Sequence, residues 1–303
     1  MLTMKKPNFF IIGAPKCGTT SVYFWLKDHP EIYMPPIKEP HHFYSPFGQR
    51  MSGEEYEKLF YDSTEKHKAV GEASVFYLFS GIAIDRILEY HPEAKFIVLL
   101  RNPIEMAISF HQQELASTHE LETDFKKAWQ LNETRSKGNP VKIDGKDFDD
   151  QADPNFLNYR KMCQVGSQLK YLYKKVEKER VLPILLDHIK EDSSKEYRKI
   201  LRFLEVSGDD KKSFENANQT FPIRSLFLYR FLLSCEAFKK IVGLQEKSFG
   251  SLRWLSSWNN RVPKILDDPF KMRLLEVFDP EIRLLEKQLS LDLSAWRDVE
   301  QFN

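Results

Sequence analysis

Short apolar runs alternate with segments of helical spacing along the chain. Uninterrupted apolar strands of this kind are typical of a parallel sheet that helices cover on both faces. The pattern therefore predicts a doubly wound α/β fold, in which ligands bind at the carboxyl ends of the strands. The runs and the helices predicted after them are residues 8–13 with a helix from Thr20, residues 95–101 with a helix after Pro103, and residues 180–186 with a helix over 193–204.

Two further apolar patterns predict helices in the last third of the chain. Residues 225–244 are apolar but carry four charged side chains, so they cannot span a bilayer. We predict a half-buried core helix there; a helix that contacts a membrane or a partner is the alternative. Residues 267–289 are also helical in pattern, interrupted at Pro280, with apolar positions Met272, Leu275, Phe278, Ile282 and Leu285.

A polar segment over residues 119–155 separates these patterns and is rich in aspartate around Gly145. Lys146 and Phe148 stand where an EF-hand would have its ligands, so no metal site is predicted. We expect a surface insertion or a flap beside the substrate. The whole chain, residues 1–303, is then one domain.

Charge and cysteine content narrow the functional classes. The formal net charge is +1, from 45 Lys+Arg against 44 Asp+Glu, so no nucleic-acid partner is predicted and any anion site must be local. The three cysteines are widely spaced, which favours neither a disulfide framework nor a zinc site. With no convincing targeting or transmembrane segment, we predict a cytoplasmic protein.

The loop after the first strand has the glycine spacing of a nucleotide loop without its lysine. Gly13 and Gly18 match the pattern GxxxxGK[ST], but Thr19 stands at the lysine position and Lys16 lies inside the loop. This shift argues against a magnesium-dependent phosphoryl transferase. Backbone N–H groups at a helix N-terminus still favour an anion, and the hydroxyls of residues 19–21 are further donors.

Two other segments carry candidate chemistry. Arg101 precedes a helix and Ser109 lies about two turns into it, where a guanidinium and a hydroxyl can bind phosphate. The sequence KEPHHF, residues 38–43, places a carboxylate beside cations, as proton transfer from a hydroxyl needs. Each signal alone is weak, because the arginine can be a surface ion-pair partner and a histidine can be buried against Phe43.

Together, PKCGTTS after a strand, then KEPHHF, then RNPxxxAxS after another strand resemble the sulfotransferases that use 3′-phosphoadenosine-5′-phosphosulfate (PAPS). KEPHHF resembles the glycan-type, heparan-modifying branch and its bacterial relatives. Residues 70–74 are similar to the family's GEAS strand, 166–187 to its helix and third core strand, and 278–296 to its C-terminal signature. The resemblance implies a P-loop-like fold and covers most of the chain.

The resemblance also implies roles for individual residues. Arg101 and Ser109 match the residues that bind the 3′-phosphate. Glu39 matches the general base that takes the proton from an acceptor hydroxyl. Lys38 and His41 match neighbours that orient donor or acceptor, and His42 is a weaker candidate. The residues that match the loop binding the 5′-phosphosulfate are Lys16, Cys17, Gly18, Thr19, Thr20 and Ser21. By this match Lys16 also stabilises the leaving group, and Cys17 contributes through its backbone.

Two positions depart from the family pattern. Ala73 stands where glycan enzymes often have lysine, and Met106 where many relatives have arginine, which puts glycan specificity in doubt. Arg261 and Lys264 are low-grade candidates for the later basic loop on the 3′-phosphate. Our hypothesis is an O-sulfotransferase without a metal, releasing adenosine 3′,5′-bisphosphate (PAP), with a saccharide, lipid, small alcohol or natural product as acceptor. The alternatives are a P-loop kinase and a nucleotide-binding protein that has lost catalysis.

Overall fold

A five-stranded parallel sheet lies at the centre of the computed structural model, which describes residues 5–48, 50–136, 142–143, 146–147, 153, 155–211, 213–214 and 266–301. The strand order is β2-β3-β1-β4-β7, and every pairing in the sheet is parallel. A separate antiparallel hairpin is formed by β5 and β6. The strands are β1 (Phe9–Ile11), β2 (Ile32–Tyr33), β3 (Ala69–Ala73), β4 (Lys95–Leu100), β5 (Lys142–Ile143), β6 (Lys146–Asp147) and β7 (Val181–Leu185).

Helices follow most of the parallel strands, as the alternating pattern predicts. The predicted α/β fold, with a parallel sheet flanked by helices, is confirmed. The described helices are α1 (Thr19–Lys27), α2 (Gly53–Lys58), α3 (Gly81–Tyr90), α4 (Pro103–Ala116), α5 (Phe125–Gln130), α6 (Asn132–Ser136), α7 (Tyr159–Met162), α8 (Val165–Lys175), α9 (Leu186–Glu191), α10 (Ser193–Phe203) and α11 (Asp268–Leu289).

The core strands are apolar on both faces because both faces are covered. All three residues of β1 are buried, and so are residues 96–100 of β4. In register, Phe9 lies beside Gly71 of β3 and beside Lys95 of β4, which makes β1 a central strand. Parallel pairing places the carboxyl ends of β1, β3 and β4 at one edge of the sheet, so the loops after them lie together.

Local signals set the helix starts near this edge. Pro103 occupies the first turn of α4, and the Asn102 side chain accepts a hydrogen bond from the Ile104 amide at 3.0 Å. At α10 the Asp192 side chain accepts from the Lys195 amide at 2.8 Å. Capping residues therefore explain why the predicted starts of these two helices are close to the observed ones.

Helix α11 corrects two of the sequence expectations. It runs through Pro280 without interruption, because its apolar face packs against α4 and α8 and outweighs the one hydrogen bond that proline removes. Phe278 is buried as expected, but Met272 is 48% exposed, since the buried face of the first turns runs through Phe270 and Leu274 instead. The predicted apolar stripe is thus wrong at its N-terminal end.

Part of the polar segment 119–155 contributes to the core. Phe125 and Trp129 on α5 are buried and contact Phe270 of α11, with ring centroids 6.0 and 6.5 Å apart. Much of the aspartate-rich remainder lies outside the described residues, as do residues 225–244, Cys235, Arg261 and Lys264. None of the helices in the described ranges combines the length and the apolarity needed to cross a bilayer.

A close approach between α8 and α11 gives a test of this packing. A Cβ at Gly166 would lie 2.5 Å from the Glu281 carbonyl oxygen, whereas a Cβ at Gly208 would meet nothing within 4 Å. We expect Gly166→Ala to lower the free energy of unfolding by about 1–3 kcal/mol through overpacking. Gly208→Ala, the matched control, should change it by no more than about 0.5 kcal/mol. Urea unfolding measures both, and equal stability of the two variants would contradict the packing.

Candidate active site

The loop between β1 and α1 is held tightly against the sheet. The Gly13 carbonyl accepts a hydrogen bond from the Leu99 amide, and the Ala14 amide donates to the Leu99 carbonyl, each at 2.7 Å. Gly13 has φ 136°, and a Cβ there would lie 2.5 Å from the Val75 carbonyl oxygen. Only glycine fits this position, for reasons of both backbone conformation and space.

The end of this loop leaves the N-terminus of α1 without a side-chain cap. Gly18 is the N-cap residue, in the left-handed region at φ 88°, and has no side chain that could cap the helix. Thr19 and Ser21 are buried, and Thr20 is half-buried. The first turn of α1 therefore offers backbone N–H groups and the positive end of the helix dipole to an anion.

Arg101 joins the end of β4 to this loop. Its Nη1 donates to the Lys16 carbonyl at 3.3 Å, and its Nε and Nη2 donate to Glu105 Oε2 at 2.9 and 2.8 Å. Burial, together with the charge of Arg101, lowers the pKa of Lys16 from its usual value. Glu105 is a site residue that sequence reasoning missed; it lies in the first turn of α4, four residues after Arg101, which precedes the helix.

The remaining donor-site candidates lie on the same two loops and helices. Ser109 is half-buried on α4. Cys17 is fully buried, and its Sγ lies 3.4 Å from the Pro15 carbonyl oxygen. Burial raises the pKa of Cys17 to about 12, so at neutral pH it is a neutral thiol. Any contribution of Cys17 to anion binding is then through its backbone.

Glu39 lies between Lys38 and His41. Lys38 Nζ contacts Glu39 Oε1, and His41 Nε2 lies 3.5 Å from Oε2. Burial acts to raise the pKa of Glu39, but the hydrogen bond from His41 and the charge of Lys38 outweigh it and lower the pKa to about 2. At neutral pH Glu39 is therefore an ionised carboxylate.

The backbone around Glu39 is strained and anchored to β3. Glu39 and His41 have φ 62° and 52°, a region that residues with a Cβ seldom adopt. The Glu39 amide donates to the Ala73 carbonyl at 2.9 Å, and the His41 amide donates to Ser74 Oγ at 3.3 Å. The segment is thus fixed to the carboxyl end of β3, beside β1.

The described contacts of His42 are with Met51, Tyr56 and Phe43. Its Nδ1 lies 2.7 Å from the Met51 carbonyl oxygen, and its ring stacks on Tyr56 with centroids 4.3 Å apart. Burial lowers the pKa of His42, which favours the neutral ring. Its neighbour Phe43 contacts the ring edge-on, with ring centroids 4.8 Å apart. This agrees with the alternative that a histidine of this motif packs against Phe43.

A buried carboxylate and a histidine at the end of α4 are further residues that sequence reasoning missed. His119 Nδ1 lies 2.8 Å from Glu114 Oε2, and Glu114 is only 2% exposed. Burial raises the pKa of Glu114, and its charge interacts with those of Lys16 and Glu39. Glu114 falls within the regular spacing of a helix, so no motif distinguishes it in the sequence.

Hydrogen bonds place parts of the three sequence motifs at one edge of the sheet: Arg101 donates to the Lys16 carbonyl, and the Glu39 amide donates to the Ala73 carbonyl of β3. The charges of Arg101, Glu114 and Glu39 all act on the Lys16 ammonium. These groups come from the loop after β1, the end of β4, helix α4 and the segment anchored to β3. Chemically, the arrangement offers an anion site formed by two cations and a helix N-terminus, with an ionised carboxylate close by.

Comparisons with known proteins agree with this chemistry. The family model described as "Sulfotransferase domain" matches residues 6–221. Membrane-associated sulfotransferase kil1 of Dictyostelium discoideum is 38% identical over 105 residues, covering 34% of this chain and 22% of that protein. Carbohydrate sulfotransferase 15 of Homo sapiens is 30% identical over 163 residues, covering 39% of this chain and 29% of that protein. The matched part thus spans less than a third of either relative.

A solved structure extends the comparison to nearly the full chain. The crystal structure of a sulfotransferase from Alicyclobacillus acidocaldarius has a TM-score of 0.69 with this structure, at 26% sequence identity. The match covers 97% of this chain and 99% of that one. The alignment therefore extends along almost the whole length of both chains.

The anion site can be tested with inorganic pyrophosphate. We expect Lys16→Met to weaken pyrophosphate binding by about tenfold or more, because a charge-assisted contact contributes about 1.5–3 kcal/mol. Lys27→Met, at the opposite end of α1, removes the same charge from an exposed position and is the matched control. Isothermal titration calorimetry measures both. An equal loss in the two variants would show that net charge, rather than the loop, governs binding.

Proposed function

This chain belongs to the sulfotransferase family, and from that membership we propose that it transfers the sulfuryl group of PAPS to an acceptor hydroxyl and releases PAP. The observation that carries the proposal is the placement of Lys16, Arg101 and Glu39 at the carboxyl edge of the sheet, through hydrogen bonds from Arg101 to the Lys16 carbonyl and from the Glu39 amide to Ala73. Sulfuryl transfer needs cations for a phosphate leaving group and a base for the attacking hydroxyl. The site has both.

The donor groups divide between the two loops. Lys16 and the first turn of α1 would hold the 5′-phosphosulfate, with Gly18 allowing close approach of the backbone. Arg101 and Ser109 would bind the 3′-phosphate, for which the guanidinium is suited by its planar fork. Glu105 holds Arg101 through two hydrogen bonds, and we propose that it orients the guanidinium before the donor arrives.

The transfer itself is an in-line displacement. The acceptor oxygen forms a bond to sulfur while the bond between sulfur and the bridging oxygen breaks, and that electron pair stays on the 5′-phosphate of PAP. Lys16 stabilises the charge that develops on this oxygen. Glu39 takes the proton from the acceptor hydroxyl, and Lys38 and His41 orient its carboxylate.

The low pKa of Glu39 bears on the order of two events, the loss of the proton from the acceptor hydroxyl and the formation of the bond to sulfur. A carboxylate with a pKa of about 2 is a weak base towards an alcohol. The hydroxyl becomes strongly acidic only as its oxygen bonds to sulfur. We therefore propose that proton transfer to Glu39 follows, rather than precedes, most of the bond formation.

A carbohydrate hydroxyl is our first candidate for the acceptor. One matched relative is named as a carbohydrate sulfotransferase, and its alignment covers 39% of this chain. Ala73 and Met106 are the two positions that count against glycan specificity. Lipid, small-alcohol and natural-product acceptors therefore belong in the same assay, with ³⁵S-labelled PAPS as donor.

Donor identity is tested by thermal stabilisation. We expect PAP at about one hundred times its dissociation constant to stabilise the protein by about 2.7 kcal/mol, raising the melting temperature by about 5 °C or more. The shift should not need magnesium, because protein cations meet the phosphate charge. ADP is the control. Stronger stabilisation by ADP, and only with magnesium, would favour the kinase alternative and overturn the proposal.

The base is tested by an isosteric substitution. We expect Glu39→Gln to reduce transfer at least a hundredfold, because the amide cannot take the proton, while the PAP-induced thermal shift stays nearly intact. Glu105→Gln keeps the base and is the comparison variant, with its effect expected mainly on donor binding. Unchanged turnover in Glu39→Gln would assign the base elsewhere, with His41 as the next candidate; a catalytically inactive protein would show PAP binding without transfer in the wild type.

A further inference from the structure

The segment that presents Glu39 needs support from outside itself. Glu39 and His41 both have positive φ, on either side of Pro40. Such conformations persist only where the surrounding structure holds them. The support beneath this segment comes from β3 and the turn after it.

Glu72 is the buried acceptor at the centre of that support. It is fully buried on β3, beside Phe10 of the central strand. Its Oε1 accepts a hydrogen bond from Ser74 Oγ at 2.5 Å, and its Oε2 accepts from the Tyr56 hydroxyl at 3.2 Å. The Tyr77 hydroxyl and this carboxylate interact electrostatically. Two hydroxyls thus donate to one carboxylate, and a third interacts with it.

Two of these hydroxyls also contact the backbone of the Glu39 segment. Ser74 Oγ accepts from the His41 amide at 3.3 Å, and the Tyr77 hydroxyl accepts from the Phe43 amide at 3.2 Å. An amide N–H can only donate, so each hydroxyl accepts that hydrogen bond, and Ser74 directs its own hydrogen to Glu72. Through Ser74 the hydrogen bonds therefore run in one direction, from loop amide to hydroxyl to carboxylate.

We propose that Glu72 is a positioning residue for the transfer reaction, holding the Glu39 segment in its left-handed conformation through Ser74 and Tyr77. This inference rests on the proposed role of Glu39 as base. Glu72 itself does not touch the substrates. Its part is to accept the hydrogen bond from Ser74 and to interact with the Tyr77 hydroxyl, the two groups that accept hydrogen bonds from the loop amides.

The network contains its own control. Tyr56 donates to Glu72, but it contacts the segment through its ring, which stacks on His42 and meets Phe43 edge-on with centroids 5.3 Å apart. Tyr56→Phe therefore removes one hydroxyl from Glu72 while keeping the ring and both loop amide bonds. A second control is Glu281→Gln in the contact between α8 and α11, where a buried carboxylate accepts from the Ser167 amide and hydroxyl, each at 2.7 Å.

Hydrogen–deuterium exchange of the segment tests the support without any substrate. In Glu72→Gln an NH₂ group, which can only donate, replaces one carboxylate oxygen, so at least one hydroxyl loses its acceptor. We expect the His41 or Phe43 amide to exchange about tenfold faster or more. Ser74→Ala should release the His41 amide and Tyr77→Phe the Phe43 amide. Tyr56→Phe and Glu281→Gln should leave the exchange rates of both amides unchanged, even if they lower the melting temperature as much as Glu72→Gln does.

Kinetics then separate positioning from a general loss of stability. With the most active acceptor of the panel, Glu72→Gln should lower kcat about tenfold while the PAP-induced thermal shift and the KM for PAPS stay close to wild type. Unchanged exchange in the Glu72, Ser74 and Tyr77 variants would overturn the inference, as would faster exchange with unchanged kcat. If the wild type transfers no sulfuryl group, the proposed function fails on its own, and the exchange data still decide whether Glu72 holds the segment. If Glu72→Gln does not fold, the Ser74 and Tyr77 variants carry the same test.

Discussion

Parallel pairing of β1 between β3 and β4 is the constraint on which the candidate site depends. It places the carboxyl ends of three strands at one edge of the sheet, although the strands are far apart in the chain. Lys16 follows β1, Arg101 follows β4, and the segment of Glu39 is anchored to the last residue of β3. A different strand order would separate these groups, whatever their local conformation.

Charge balance holds the site together before an anion binds. Arg101 pairs with Glu105, Glu39 lies between Lys38 and His41, and Glu114 contacts His119. An incoming anion must compete with these carboxylates for the cations, which weakens its binding. The same contacts hold the side chains close to one geometry. The entropy cost of ordering them during the reaction is therefore smaller.

Agreement between sequence and structure is best where the signal is local. The strand that ends before Gly13, the helix start at Pro103 and the cap at Asp192 each depend on residues close by in the chain. Agreement is worse for α11, because Pro280 predicts a break that packing against α4 and α8 overrides. Tertiary contacts can offset the free-energy cost of a proline inside a helix, and a sequence pattern takes no account of those contacts.

The loop chemistry, the alternation of strands and helices, and the displaced lysine that argues against magnesium-dependent phosphoryl transfer could all be predicted from the chain alone. These features depend on residue types and short spacings, which a single chain displays directly. The action of the Glu114 charge on Lys16, and the position of Glu72 beneath the Glu39 segment, become visible only in the folded chain. Such buried carboxylates look like ordinary helix or strand residues in sequence. Their partners are set by strand order and packing, so the charges they meet cannot be read from their neighbours along the chain.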